Sequence, residues 1–122
     1  MKATCQDFAV AIARQSPTLQ SAYNETRSYW SPDQPPVTIL FAALGDQIAG
    51  DFDRNGVDAN EQLFGQIEAA MASGDEELMT AVATGLIEAV ASKLAHDGEA
   101  LQRVLTMFGE LSRKHAGAWL SG

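Results

Sequence analysis

Glu68 and Glu88 are the side chains whose surroundings first suggest chemistry. Each follows an isoleucine and precedes an alanine, in Ile67-Glu68-Ala69 and Ile87-Glu88-Ala89. A helix tolerates a carboxylate in an apolar run only where that stripe reaches solvent or a partner. As an acid and base pair the two would need a fixed separation, and nothing in the sequence supplies one. Helical spacing instead places Glu61, Gly65, Glu68 and Ala72 on one face, and Ala81, Thr84, Gly85, Glu88 and Ser92 on another. Small residues leave the backbone approachable and the carboxylates prominent, which suits an intruding basic side chain or loop. The competing reading is plain helix contact through small residues, with both glutamates paired to Arg103 or another base of the last helix.

The stretch DFDRNGVDANEQ, Asp51 to Gln62, offers a second chemistry. Asp51, Asp53 and Asn55 occupy the first, third and fifth positions of a calcium loop, and Gly56 the sixth. The twelfth position should carry a glutamate that binds through both oxygens, and Gln62 stands there. Asp58 fills the eighth position, normally apolar, and no second loop of this kind is present. Asp, Asn and Gly also form such turns for local reasons, because their side chains bond the nearby backbone.

No catalytic arrangement emerges. His96 and His115 lack zinc-ligand spacing, Cys5 is the single cysteine, and no nucleophile motif or phosphate loop occurs. The expectation is a binding protein without catalytic activity, metal or cofactor.

The elements that position these residues are helices. Leu63, Phe64, Ile67 and Met71 form one apolar stripe, and Leu78, Met79, Val82, Leu86, Ile87, Val90 and Leu94 another, with Ser73-Gly74-Asp75 between them. This predicts a helical hairpin over about 59–95, with Gly74 in the left-handed conformation and Asp75 capping the second helix. Glu76 and Glu77 then lie at the positive end of its dipole. Upstream, Thr4 is expected to cap a helix to about Gln15. Ser16-Pro17 opens a second helix to about Ser28, with Leu19, Tyr23 and Tyr29 inward. The proline-rich YWSPDQPP segment is a loop. A third helix carries Leu40, Phe41, Leu44, Ile48 and Phe52, and Asn55-Gly56 supplies positive φ in the turn after it. Asp97 is expected to cap a last helix from Glu99 to Ala116, with Leu101, Val104, Leu105, Phe108 and Leu111 buried and Arg113, Lys114 and His115 at its C-terminal end. Trp119 and Leu120 return onto the bundle. Residues 1–122 thus read as one all-α domain of about six helices. No stretch alternates with the period of a strand.

Charge narrows the partners. The 122 residues carry 16 acids and 8 bases, a net charge of −8. Nine of the acids (Asp46, Asp51, Asp53, Asp58, Glu61, Glu68, Asp75, Glu76 and Glu77) lie between positions 46 and 77 with the single base Arg54. That distribution argues against nucleic acid and anionic membrane as partners and for either a solvated face or a surface meeting a basic protein. The opening residues lack the basic start and apolar run of a secretory signal, and no apolar run is long enough to cross a bilayer, so a cytoplasmic protein is expected.

The hairpin motifs Leu63-Phe64-Gly65-Gln66-Ile67-Glu68, Ser73-Gly74-Asp75 and Val82-Ala83-Thr84-Gly85-Leu86-Ile87-Glu88 resemble a largely uncharacterised family of small acidic all-helical bacterial proteins. Many of these are similar to immunity proteins of polymorphic toxin systems. The resemblance covers about 36–94 and implies a HEAT-like or irregular helical bundle that binds and neutralises a cognate toxin. It transfers no catalytic residue. The partner-binding acids expected on this reading are Asp51, Asp53, Asp58, Glu61, Glu68, Asp75, Glu76, Glu77 and Glu88, and the small-residue faces permit a homodimer. If Glu68 and Glu88 face outward, reversing both to lysine should weaken the complex and leave the fold intact.

Overall fold

A computed structural model describes all of residues 1–122 and contains only helices. In chain order these are α1 (Ala3–Ala13), α2 (Pro17–Trp30), α3 (Val37–Asp51), α4 (Val57–Met71), α5 (Glu76–Thr80), a π-helical stretch (Ala81–Ile87), α6 (Glu88–Leu94), α7 (Gly98–Met107) and α8 (Glu110–Ser121). The π stretch joins α5 to α6 without a break, so the chain makes seven helical rods in one all-α domain.

Local signals set most of the boundaries. The Ser16 hydroxyl accepts from the Leu19 N–H with Pro17 in the first turn of α2. Asp75 accepts from the Leu78 N–H, and Asp97 from the Ala100 N–H. Gly74 takes φ 80°, the only positive φ in the chain. The turn at Asn55-Gly56 therefore forms without the positive φ expected there, and Gly56 has φ −69°. Thr4 does not cap α1. It lies in the first turn of that helix, and its hydroxyl donates to Asp75 Oδ2 at 2.9 Å, tying α1 to α5.

The rod α5–π–α6 is the axis of an irregular bundle. α3 packs along it on one side, with α1 and α2 against α3, while α4 and α8 approach the rod from elsewhere and α7 joins α4 and α8. Gly45 and Gly85 make the crossing of α3 with the rod close. A Cβ on Gly45 would collide with the Leu86 carbonyl, and one on Gly85 would lie 2.8 Å from Phe41 Cβ. The core of this crossing is Leu40, Phe41, Leu44, Ile48, Val82, Leu86, Ile87 and Val90, all buried as their helical spacing predicts. The same core continues to Phe64, whose ring lies tilted between Phe52 and Phe108 with centroids 5.9 and 5.1 Å away.

Further expectations need correction, among them the burial of Leu111, which is 41% exposed. Tyr29 is 84% exposed rather than inward, because α2 runs on to Trp30 and its last turn carries Tyr29 to the outside. Tyr23 faces inward as expected, its hydroxyl accepting from Gln6 and Arg27. The predicted helix from Glu99 to Ala116 is two helices. Phe108 adopts extended φ −60°, ψ 143°, which drives its ring into the core against Phe64 and turns α8 back over α4 and α6. Trp119 and Leu120 lie in α8 and remain 40% and 36% exposed.

Candidate functional site

The acids named from the sequence divide into those used inside the fold and those left outside. Asp51 is buried, and its carboxylate accepts from the Thr18 hydroxyl, the Gln47 amide and the Arg54 guanidinium. Burial raises its pKa, but these three hydrogen bonds and the Arg54 charge outweigh that and hold it below the usual value. Asp75 is spent on the α5 N-terminus, Thr4 and a long contact with Lys2 at 3.9 Å. The Leu78 N–H, followed by the Thr4 hydroxyl, holds its carboxyl below the usual range.

Glu68 and Glu88, expected to look outward, are both engaged with α8. Glu68 Oε1 accepts from the Ser112 N–H at 3.0 Å and the Ser112 hydroxyl at 2.7 Å, and Oε2 accepts from the Leu111 N–H at 2.9 Å. It caps a helix from across the bundle, a task Gly109 at the N-cap position has no side chain to perform. Burial pushes the Glu68 carboxyl up, yet the Leu111 and Ser112 donors and the Arg113 charge bring it below its ordinary value. Glu88 Oε2 lies 2.9 Å from His115 Nε2, so a base of the last helix does meet it, while Arg103 pairs elsewhere. Arg113 complements Glu68. Its guanidinium donates to the Leu105, Thr106 and Phe108 carbonyls, closing the C-terminus of α7. Arg113, Lys114 and His115 thus lie in the first half of α8 rather than at a C-terminal end.

Outside stand Asp46, Asp53, Asp58, Glu61, Glu76 and Glu77, all exposed. Of these only Asp53 has an ion-pair partner, Arg103, at 2.7 Å. Arg103 also lies over the Phe52 ring, 5.8 Å from its centroid, and so bridges α7 to the α3–α4 turn. Beneath this bridge is a cavity of about 500 Å³ whose lining includes Phe52, Val57 and Met107 as its apolar part and Asn55, Gln102 and Arg103 as its polar part. Val57 stands 67% exposed at the cavity, and Asp58 and Glu61 follow the lining residues Val57 and Asn60 on α4.

The model of a family described as a domain of unknown function, DUF7674, matches residues 10–121. The chain belongs to this family. No curated protein and no solved structure matches it. The match takes in the whole of α2 to α8 and leaves out residues 1–9 and Gly122, so the Glu68 cap, the Arg113 closure and the cavity all lie within it.

In this DUF7674 domain the calcium-like loop positions do not converge. Asp51 turns to Thr18, Gln47 and Arg54, Asp53 turns to Arg103, and the Asn55 amide donates to Asn60. No group of three or more His, Cys, Asp or Glu side chains is placed to hold a metal ion. Titration of calcium chloride into the protein is expected to give no saturable heat. A near-stoichiometric isotherm would show that the Asp51 and Asp53 carboxylates leave Arg54 and Arg103 for the cation.

The cavity was not singled out by sequence reasoning, which offered Arg103 only as a partner for Glu68 and Glu88. Phe52 reads as core, and its meeting with Arg103 depends on α7 packing beside the α3–α4 turn. No local signal encodes that.

The depressed carboxyls give a pH dependence. For Asp51 and Glu68 the folded pKa lies below the ordinary values of 3.8 and 4.5, so the unfolded chain binds more protons as the pH falls through that range. Their stabilisation is complete above the ordinary values and is lost as pH drops through the folded ones. Urea midpoints measured across an acidic pH series should fall steeply there, and the slope should shrink in Glu68→Gln.

Proposed function

We propose that the chain is an immunity protein that binds and neutralises a cognate basic toxin through exposed acids, chiefly Asp58 and Glu61 beside the α3–α4 turn, with Glu76 and Glu77 at the start of α5 a helix length away. The observation that carries this reading is that Asp46, Asp58, Glu61, Glu76 and Glu77 are exposed and have no ion-pair partner in the chain. Carboxylates spent on caps were removed from the fold's outer charge, and these five were not. An uncompensated field of this sign steers a basic partner to its encounter and fixes its orientation. The cavity beside Asp58 and Glu61 offers an apolar floor of Phe52, Val57 and Met107 to one side chain of that partner, the kind of pocket in which interface anchors sit.

The test is co-production with the product of the adjacent gene, which this reading expects to carry a toxin domain, scored by survival of the producing cells. Protection is expected from the wild type and its loss from the quadruple reversal of Asp58, Glu61, Glu76 and Glu77 to lysine, with the circular dichroism spectrum retained. Binding should weaken steeply with salt. Full protection by the folded reversal variant would refute this face, and no complex with the neighbouring gene product would refute the role.

A further inference from the structure

The sequence spacing and the structure disagree at one place, Phe108-Gly109, and the disagreement is chemically informative. Leu101, Val104, Leu105, Phe108 and Leu111 form one uninterrupted helical stripe, yet α7 stops at Met107 and α8 starts at Glu110. Breaking a helix strands N–H groups on one side and carbonyls on the other. Here Glu68 takes the N–H groups of Leu111 and Ser112, and Arg113 takes the carbonyls of Leu105, Thr106 and Phe108. In a continuous helix the same groups pair with one another, since an N–H bonds the carbonyl four residues before it. Gly109 would donate to Leu105, Glu110 to Thr106, Leu111 to Met107 and Ser112 to Phe108. The bent and straight forms therefore satisfy almost the same backbone, one through two side chains and the other through itself.

On the α8 side the bent form is held further by the Glu88–His115 contact and by packing against α4 and the rod, with shallow burial. Only Ser112 and Ala116 of α8 are fully buried, and Leu111, Trp119 and Leu120 are 41%, 40% and 36% exposed. The absent side chain at position 109 is also required, because a Cβ there would collide with the Glu68 carboxyl group.

We propose that Phe108-Gly109 is a two-state hinge, and that straightening it delivers α8 to a second copy of this chain. When α8 swings out, each copy presents at once the vacated seat with Glu68 and Glu88 and the Ser112, Ala116 and His115 face that fits it. Reciprocal exchange restores the Glu88–His115 contact, the Ser112 hydroxyl on Glu68 and the packing of Ala116 across two chains, while the backbone bonds of the straight helix stand in for the Leu111 and Ser112 N–H bonds to Glu68 and for the Arg113 closure, which makes the second copy the occupant best matched to the seat. The inference is independent of the toxin reading, because it involves none of the exposed acids.

Light scattering on Gly109→Ala across a concentration series tests it. The alanine removes the space Glu68 occupies and favours continuous helix, so the mass should double while the helical signal is retained or rises. The dimer should persist on dilution, because exchange requires α8 to leave its seat, and should revert only after unfolding and refolding at low concentration. Arg113→Met, which opens the α7 closure and keeps every hydrogen bond to Glu68, should shift the wild-type mass in the same direction. Monomers of native melting behaviour for both variants would overturn the hinge, as would a dimer that dissociates at once on dilution. Loss of helix in both would overturn it too, since it would make the bent form the only compact state.

Discussion

Replacing Glu68 with alanine is expected to lower the unfolding free energy by about 2–3 kcal/mol, measured by urea denaturation of dilute protein. The substitution leaves the Leu111 and Ser112 N–H groups and the wholly buried Ser112 hydroxyl without their acceptor. Hydrogen bonds to a charged group contribute about 1.5–3 kcal/mol each, and water reaching the exposed Leu111 end recovers part of the loss. Helix caps removed elsewhere cost about 1 kcal/mol, so the larger figure expresses one carboxylate serving three donors. Against a typical total of 5–15 kcal/mol this is a substantial fraction. Glu68→Gln should fall between, since it keeps one carbonyl acceptor and loses the charge that suits a helix N-terminus. Glu68→Lys should be worse than alanine, because it sets an ammonium against the positive end of α8. The expectation that lysine at 68 and 88 would leave the fold intact is thereby reversed. A Glu68→Ala variant as stable as the wild type would show that α8 is held by other means.

Gly45→Ala is expected to destabilise by about 2–3 kcal/mol, read from the same denaturation curves, although alanine is the better helix former by about 1 kcal/mol. The new methyl meets the Leu86 carbonyl and lies 3.0 Å from Ala89 Cβ, and a backbone oxygen in the middle of a rod cannot rotate away. Either α3 moves off the rod, opening voids along Leu40, Leu44 and Ile48, or the rod itself deforms. Gly65→Ala supplies the control. Gly65 is exposed in α4 with nothing within 4 Å of its would-be Cβ, so alanine there should stabilise by about 0.5–1 kcal/mol. Equal effects at the two positions would mean that helix propensity, and not the closeness of the crossing, governs glycine in this bundle.

The parts of the fold that were legible in the sequence are those decided within a few residues. Ser16, Asp75 and Asp97 cap helices that begin beside them, Gly74 turns between two apolar stripes, and the stripes of α3, α4 and the rod are buried except at the partly exposed Met71, Met79 and Leu94. The break before α8 was illegible because the residue that enables it, Glu68, precedes it by more than forty positions. Read locally, Leu101 to Leu111 is one helix, and only the distant cap and the Phe64 ring make a bend at Phe108 favourable. The candidate site shows the same division. Composition located the acids between 46 and 77, but whether a given acid is spent or spare depends on Thr18, Gln47, Ser112 and Arg103 arriving from other elements. Asp51, the last residue of α3, and Asp53 in the turn after it thus separate into a buried hydrogen-bonded carboxylate and an exposed partner of Arg103.

The π-helical stretch Ala81–Ile87 bears on how this family tolerates changes in length. A wide turn of this kind holds one residue more than an ordinary turn, and each residue of an α-helix advances about 100° around its axis. Loss of a single residue there would let the rod close up as regular α-helix with Glu76 and Glu77 at nearly the same azimuth relative to Glu88 and Val90, whereas the same loss in a regular part of the rod would rotate them by about 100°. The wide turn is therefore the one place in the rod where a change of length by one residue is absorbed: relatives lacking that residue would keep both the hydrophobic seam and the direction in which the acidic end faces.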